Sequence, residues 1–235
     1  CVVVCDFDGT MTPKSWVSLF NVIDKSGCLP KEIADQGLAM REQYLPKMKA
    51  GGLTREEERQ WFDETIMLYV KAGLTLEKIK EVLAPVRLRD GVNEFLDFIK
   101  TYNIPVAIVS YGVKQFISAV LDNNLAVIDE IYSADLVVSE SGLVTGYRPE
   151  TAVFPNTKGD FSRQFADYHG IPHDNILAIG DSGGDITLGH RRENRLGIAK
   201  DEQEQQKLEQ FMGMTVVTEN FEPVCDWVWK KIRPQ

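Results

Sequence analysis

The sequence predicts an α/β protein: a parallel sheet with helices on both faces, built from both ends of the chain and interrupted near its start by a helical insert. Three observations predict it. Short apolar runs stand at Val2–Val4, Ile104–Ser110 and Ile176–Ile179, too short for helices and free of charge, as strands buried on both faces are. From about Arg89 onward such runs alternate with amphipathic stretches, the pattern of parallel strands joined by crossover helices. Between the first run and Arg89 no strand is legible, and apolar residues recur every three or four positions.

Taken in order, Val2–Val4 is the first strand, and it ends in Asp6 and Asp8, followed at once by Gly9. In the insert, Trp16, Leu19, Phe20 and Ile23 share one helical spacing, and Trp61, Ile66, Leu68 and Tyr69 another. Gly51 and Gly52 separate them, and Thr54 with Glu57 three residues on predicts a capping box. Thr75 with Lys78 predicts a cap without a box. These helices are expected to make their own small bundle. Beyond it come a helix at Gly91–Lys100, a strand at Ile104–Ser110 and a helix at Val113–Asn123. Short strands are expected at Ile128–Ser133 and Leu136–Ser139, with SESGLVTGY as a hairpin. A helix at Asp160–His169 precedes the strand Ile176–Ile179, which ends in an acidic, glycine-rich turn. Leu196–Ala199 and Met214–Val217 are further strands around the solvated helix DEQEQQKLEQ, and Trp227 and Trp229 pack a terminal helix onto the sheet. The organisation is a Rossmann-like parallel sheet core, residues 1–14 and 87–235, with a helical-bundle insert at 15–86.

Composition narrows the function. The 235 residues are 43% hydrophobic and 26% charged, a globular makeup at a length that buries a core without disulfide or metal staples. A net charge of -9 argues against a nucleic-acid polymer as partner. No apolar run is long enough to span a bilayer, and no basic leader precedes the first one. The cysteines, Cys1, Cys5, Cys28 and Cys225, form no CxxC pair; Cys5 reads as a core thiol, and the set fits a reducing cytoplasm.

Parallel sheets place ligands beyond the carboxyl ends of their strands. Three strands here end in polar residues: Asp6 and Asp8, Ser110, and Asp181 with Asp185. An Asp-Gly step alone is as readily a solvated turn; the convergence argues for a site. Four carboxylates at one rim need a cation, and with no His or Cys beside them the cation expected is Mg²⁺. Ser110, leading into a helix start, can help cradle an anion, and Lys158 in PNTKGD can reach the rim from a loop. Such a set suits phosphoryl transfer, in which one carboxylate attacks phosphorus and a second protonates the leaving oxygen.

DFDGT (Asp6–Thr10), Ser110 after IPVAIV, Lys158, and GDSGGD (Gly180–Asp185) resemble, in order, the four motifs of the haloacid dehalogenase superfamily, over nearly the whole chain. The resemblance implies that Asp6 is the nucleophile of an aspartyl-phosphate and that Asp8 is general acid and then base, its backbone carbonyl also a Mg²⁺ ligand. The Asp6 and Asp181 carboxylates would complete the metal ligands, and Asp185 would support the metal waters or orient Lys158. Ser110 and Lys158 would hold the phosphoryl oxygens, with Thr10 and Gly112 contributing hydroxyl or backbone groups. An acid at position 8 marks a phosphatase within that superfamily. The insert resembles the C1-type cap of phosphoserine phosphatase and the pyrimidine 5′-nucleotidases. REQYLP (Arg41–Pro46), GLTREEE, Trp61 and Phe62 look more like the nucleotidases, although Gly9 and the SYG at Ser110–Gly112 depart from them, and Tyr111 would narrow the pocket.

The activity this implies is Mg²⁺-dependent phosphomonoester hydrolysis, with a nucleoside 5′-monophosphate as first substrate. The alternatives are a small metabolite such as phosphoserine, or a phosphate-binding module without turnover. Trp61 either stacks on a base or fills the cap's interior. Arg41 and Glu42 either contact the leaving group or form a solvated face. His169, His173 and His190 are given no chemistry. Hinges for cap motion are expected near Lys14 and Arg87–Asp90.

Overall fold

The computed structural model describes residues 1–16, 18–49 and 53–233; the Gly51–Gly52 break expected from the sequence lies outside them. Seven strands form one sheet: β1 (Val2–Cys5), β2 (Val106–Val113), β3 (Glu130–Val138), β4 (Val144–Arg148), β5 (Ile176–Gly180), β6 (Arg195–Ala199) and β7 (Met214–Val217). Their order is β4-β3-β2-β1-β5-β6-β7. All neighbours are parallel except β3 and β4, the expected hairpin. The chain therefore runs outward one way from β1 through β2 and β3, and the other way from β5 through β7. The switch falls between β1 and β5, where open α/β sheets bind their ligands.

The central strands are buried on both faces because their residues alternate between two apolar clusters. Val3, Cys5, Val106, Ile108, Leu177 and Ile179 face one side; Val2, Val4, Ala107, Val109, Ile176 and Ala178 face the other. The second side is covered by α7 (Lys158–Tyr168) through Phe165 and Ala166. The first carries α5 (Val92–Thr101), α6 (Lys114–Leu121) and α9 (Glu222–Ile232). A short helix α8 (Glu202–Leu208) lies between β6 and β7.

The stretch between β1 and α5 holds α1 (Leu19–Lys25), α2 (Lys31–Lys49), α3 (Arg55–Lys71) and α4 (Leu76–Leu83). Ser18, Thr54 and Thr75 cap α1, α3 and α4, and the Thr54–Glu57 capping box is present with both of its hydrogen bonds. These helices pack on one another, α1 on α2 and α4, and α2 on α3. Leu19, Ile23, Phe62, Ile66, Tyr69, Ile79 and Leu83 belong to the same apolar cluster as the sheet and Phe116, and α4 lies against α6. Phe116 of α6 meets Phe20 of α1 and Tyr69 of α3, so the apolar faces of these helices continue into that of α6.

Other details differ from the sequence reading. Ile128–Ser133 and Leu136–Ser139 are one continuous strand, β3. Trp227 is buried in the core, but Trp229 packs against Phe98 of α5 and Tyr102 just beyond it rather than on the sheet. No described helix is long and apolar enough to cross a membrane.

Candidate active site

Cys5 is aligned with Ile108 of β2 and Ile179 of β5. Asp6 stands one residue beyond that rung, and Ser110 and Asp181 two residues beyond it. Three adjacent strands thus deliver the three polar signatures to one rim. Beyond β1 the chain turns tightly: the N–H groups of Thr10, Met11 and Thr12 all point to the Phe7 carbonyl, and Gly9 adopts φ +78°, open to glycine at little cost. A Cβ on Gly9 would lie 2.5 Å from Asp181 Oδ2, so a bulkier residue would displace that carboxylate.

Ser110 lies inside β2 rather than after it, at an irregularity in the ladder. Between Val109 and Val113, β2 advances four residues while β3 advances two, from Tyr132 to Ala134. Such a bulge releases strand N–H groups and re-aims side chains. Gly112 sits in it, and a Cβ there would be 3.4 Å from Ser110 Oγ.

Lys158 opens α7 instead of sitting in a loop. Its backbone N–H bonds to the Phe154 carbonyl, which turns the PNTKGD stretch into the helix start. Its ammonium, almost fully buried, donates to Asp6 Oδ1 at 2.7 Å and to Asp185 Oδ1 at 2.6 Å. Asp185 Oδ2 accepts from the N–H groups of Asp181 and Ser182, both at 3.0 Å, and from Ser182 Oγ at 2.9 Å. Both Asp185 oxygens are therefore engaged, and the residue is built to hold Lys158 and the turn after β5. The paired carboxylates push the Lys158 pKa upward against the effect of its burial. Asp6 is raised chiefly by burial, against the lowering effect of Lys158, and Asp181 chiefly by burial and the nearby Asp185 charge.

Asp8 is pushed up to about 7, first by burial and then by the charge of Asp6. Its Oδ2 accepts a 3.4 Å hydrogen bond from the N–H of Leu19 at the start of α1, while Oδ1 and the Thr10 hydroxyl are buried without a partner among the described residues. Arg41 reaches the same end of α1, donating from Nη1 to Ser18 Oγ at 2.8 Å. Glu42 is exposed on α2 and joins no described site contact. Trp61 is buried, stacked on Tyr44 at a centroid distance of 5.5 Å and edge-on to Tyr111.

One oxygen from each of Asp6, Asp181 and Asp185 lies within 4.8 Å of the others. An all-carboxylate set with no His or Cys in it fits a hard divalent cation. With Asp185 committed to Lys158 and the turn, Asp6 and Asp181 are the carboxylates left to hold it. Lys14, read in the sequence only as a hinge position, lies 3.2 Å from Asp181 Oδ2 and also pairs with Glu204.

Two other residues make contacts the sequence reading did not anticipate, although Arg89 lies in the expected hinge and Glu58 ends the GLTREEE stretch. Arg89 is 2% exposed and donates to the carbonyls of Gly9 (2.8 Å), Thr10 (3.0 Å) and Thr218 (2.7 Å); nothing local in VRLRDG signals partners so distant in sequence. Glu58 is buried, and its spacing three and four residues before Trp61 and Phe62 was the available signal.

The family model for pyrimidine 5′-nucleotidase (UMPH-1) matches residues 7–220. The chain belongs to this family. It is a phosphatase of the haloacid dehalogenase type, as its motifs led one to expect. This UMPH-1 member is 28% identical over 198 residues, covering 81% of the chain and 80% of the relative, to a 2-hydroxy-3-keto-5-methylthiopentenyl-1-phosphate phosphatase of Microcystis aeruginosa. It is 23% identical over 246 residues to the 7-methylguanosine phosphate-specific 5′-nucleotidase of Gallus gallus, covering 94% and 83%. In fold it resembles the crystal structure of cytosolic 5′-nucleotidase IIIB bound to cytidine, with TM-score 0.79, 18% identity and coverage of 98% and 86%.

Proposed function

We propose that this UMPH-1 member is a Mg²⁺-dependent hydrolase of nucleoside 5′-monophosphates working through an aspartyl-phosphate on Asp6. The observation that carries the reading is the buried Lys158 ammonium between Asp6 and Asp185, beside an Asp8 carboxyl that holds its proton near neutral pH. Asp6 attacks phosphorus, and Asp8 gives its proton to the leaving oxygen. Asp8, now a carboxylate, then takes a proton from the water that cleaves the phosphoryl-aspartate. Lys158 and Ser110 stabilise the phosphoryl oxygens, with the Thr10 hydroxyl and the Gly112 backbone as further donors. When bound, the cation would be held by Asp6, Asp181 and the Asp8 carbonyl and would neutralise phosphoryl charge.

In this reading residues 1–14 and 87–235 are the catalytic core and 15–86 the cap, with Arg41 facing the leaving group. The free thiols of Cys1, Cys5, Cys28 and Cys225 suit the cytoplasm. The nucleotide preference rests on the Tyr44–Trp61 aromatic pair, which can offer a ring face to a base, and on the substrates named for the relatives above. A second reading, a small phosphorylated metabolite, is favoured by the close packing of that same pair and by the Microcystis relative. The test is phosphate release from pyrimidine and purine monophosphates, phosphoserine and sugar phosphates, with and without Mg²⁺. Metal-dependent turnover with nucleotides preferred is expected; preference for a non-nucleotide ester selects the second reading.

A further inference from the structure

Two ammonium groups lie among the carboxylates of the site, and they are held differently. Lys158 is almost fully buried between Asp6 and Asp185. Lys14 stands at the start of the first crossing out of the core, in the single 3₁₀ turn Lys14–Trp16. Its ammonium lies 3.2 Å from Asp181 Oδ2, donates to the Asp181 backbone carbonyl at 3.3 Å and pairs with Glu204 of α8. Among the described residues it is the only cation paired with the Asp181 side chain. The chemistry proposed above uses Lys158. It has no use for Lys14.

Glu204 is placed without help from Lys14. Its N–H donates to Asp201 Oδ1 at 2.8 Å in the cap of α8, and its Oε2 accepts from the Lys200 N–H at 2.8 Å. The Lys14 stem is placed as well, with Cγ 3.5 Å from where a Cβ on Gly9 would be. Lys14 thus bridges two carboxylates with unlike duties. Asp181 is assigned to the cation; Glu204 is outside the carboxylate set that could hold one. The Lys14 side chain keeps 13% of its surface in solvent, against 5% for Lys158, so it can shift between its partners without stranding a charge in the interior.

A divalent cation on Asp6 and Asp181 and the Lys14 ammonium draw on the same carboxylate and repel each other, and away from water that repulsion is weakly screened. The sign of the effect separates two roles. A group that only orients a metal ligand raises metal affinity, and its loss weakens binding. A competing cation lowers the affinity, and its loss tightens binding. Asp181 Oδ2 faces a full positive charge rather than a neutral donor, which favours competition.

We propose that Lys14 is a displaceable internal counter-ion of the metal site: it competes with the divalent cation for Asp181, and Glu204 takes up its ammonium when the cation is bound. Lys14 thereby sets the metal affinity from the crossing that leads to α1. This rests on the Mg²⁺-dependent phosphatase reading and deepens it.

The test follows thermal unfolding against Mg²⁺ concentration, without substrate, at fixed pH and ionic strength, and takes Kd from the rise in Tm. Wild type is compared with Lys14→Met, Glu204→Gln and the double variant, with Asp181→Asn as the control that removes a ligand. Lys14→Met is expected to tighten Mg²⁺ binding about tenfold. Glu204→Gln is expected to weaken it about fivefold, and to lose that effect once Lys14 is gone, because Glu204 acts through Lys14. Lys14→Gln carries the same prediction should Lys14→Met fail to fold. Unchanged binding in the Lys14 variants makes the contact a plain ion pair, and weaker binding makes Lys14 an orienting group for Asp181. Either result overturns the proposal. So does a Glu204→Gln effect of equal size with and without Lys14, which removes the exchange between the two carboxylates.

Turnover of p-nitrophenyl phosphate by wild type with Mg²⁺ separates the levels of failure. If wild type turns it over and shows an Asp181-dependent response to Mg²⁺ while the variants fail, only the role of Lys14 falls. If no Asp181-dependent response is found, both readings fall. If Mg²⁺ binds as expected and no ester is hydrolysed, the phosphatase reading falls alone.

Discussion

The ammonium of Lys158 lies 2.7 Å from Oδ1 of Asp6, with both side chains almost completely withdrawn from water. A buried ion pair of this kind contributes little net stability, but removing one partner leaves an uncompensated charge. Lys158→Met strips the cation from Asp6 and Asp185 together. We expect turnover to fall about a hundredfold or more and stability to drop by about 3–5 kcal/mol, read by urea unfolding. Added Mg²⁺ should restore part of the stability and none of the rate. Recovery of the rate by metal alone would mean that Lys158 acts only as a counter-charge.

Gly9 places its missing side chain against Asp181. With φ at +78° and a Cβ that would fall 2.5 Å from Asp181 Oδ2, Gly9→Ala costs roughly 1 kcal/mol in backbone strain and moves a carboxylate assigned to the metal. The Mg²⁺ concentration for half-maximal activity should rise about tenfold, on the scale of an outer-shell metal-site change. An unchanged metal requirement would remove Asp181 from the ligand set.

Arg89 holds the catalytic turn from behind. It feeds the Gly9, Thr10 and Thr218 carbonyls through one planar fork, a geometry that lysine cannot reproduce. Arg89→Lys should cost about 2–3 kcal/mol, since buried carbonyls lose their donors while the charge stays, and equilibrium unfolding measures it. A loss below about 0.5 kcal/mol, the level of an ordinary surface substitution, would show that water replaces the fork without penalty.

Trp61 decides between the two substrate classes. If its face meets a base, Trp61→Ala should raise KM for a nucleoside monophosphate about tenfold more than KM for p-nitrophenyl phosphate, as loss of a base–aromatic stack does. Equal changes for the two esters would assign Trp61 to the packing of α2 against α3.

Much of this was legible in the sequence for a simple reason. Strands buried on both faces have to be apolar throughout, so the residues at which that pattern breaks, Asp6, Ser110 and Asp181, mark the rim of the sheet. The capping box at Thr54 and Glu57 was equally readable, because both of its partners are local. What escaped depends on distance along the chain or on small shifts of register. Arg89 reads as one of many charges until Gly9 and Thr218 are folded around it. Glu58 sits in a run of three glutamates that suggests a solvated face, and only its spacing to Trp61 and Phe62 turns it inward. Lys158 read as a loop residue because the helix it opens has no side-chain cap. The irregularity at Ser110–Gly112 exists only in the pairing of β2 with β3.

The central claim is a phosphoryl group carried on Asp6, and Asp8→Asn exposes it most directly. p-Nitrophenolate leaves without help from an acid, whereas the water that clears the aspartyl-phosphate needs the base that this variant lacks. Rapid acid quench of Asp8→Asn with p-nitrophenyl phosphate and Mg²⁺, followed by peptide mass spectrometry, should find the phosphoryl group on Asp6, in step with a burst of about one nitrophenolate per chain. Continued turnover with no phosphopeptide, or a phosphoryl group on any other residue, would contradict the account.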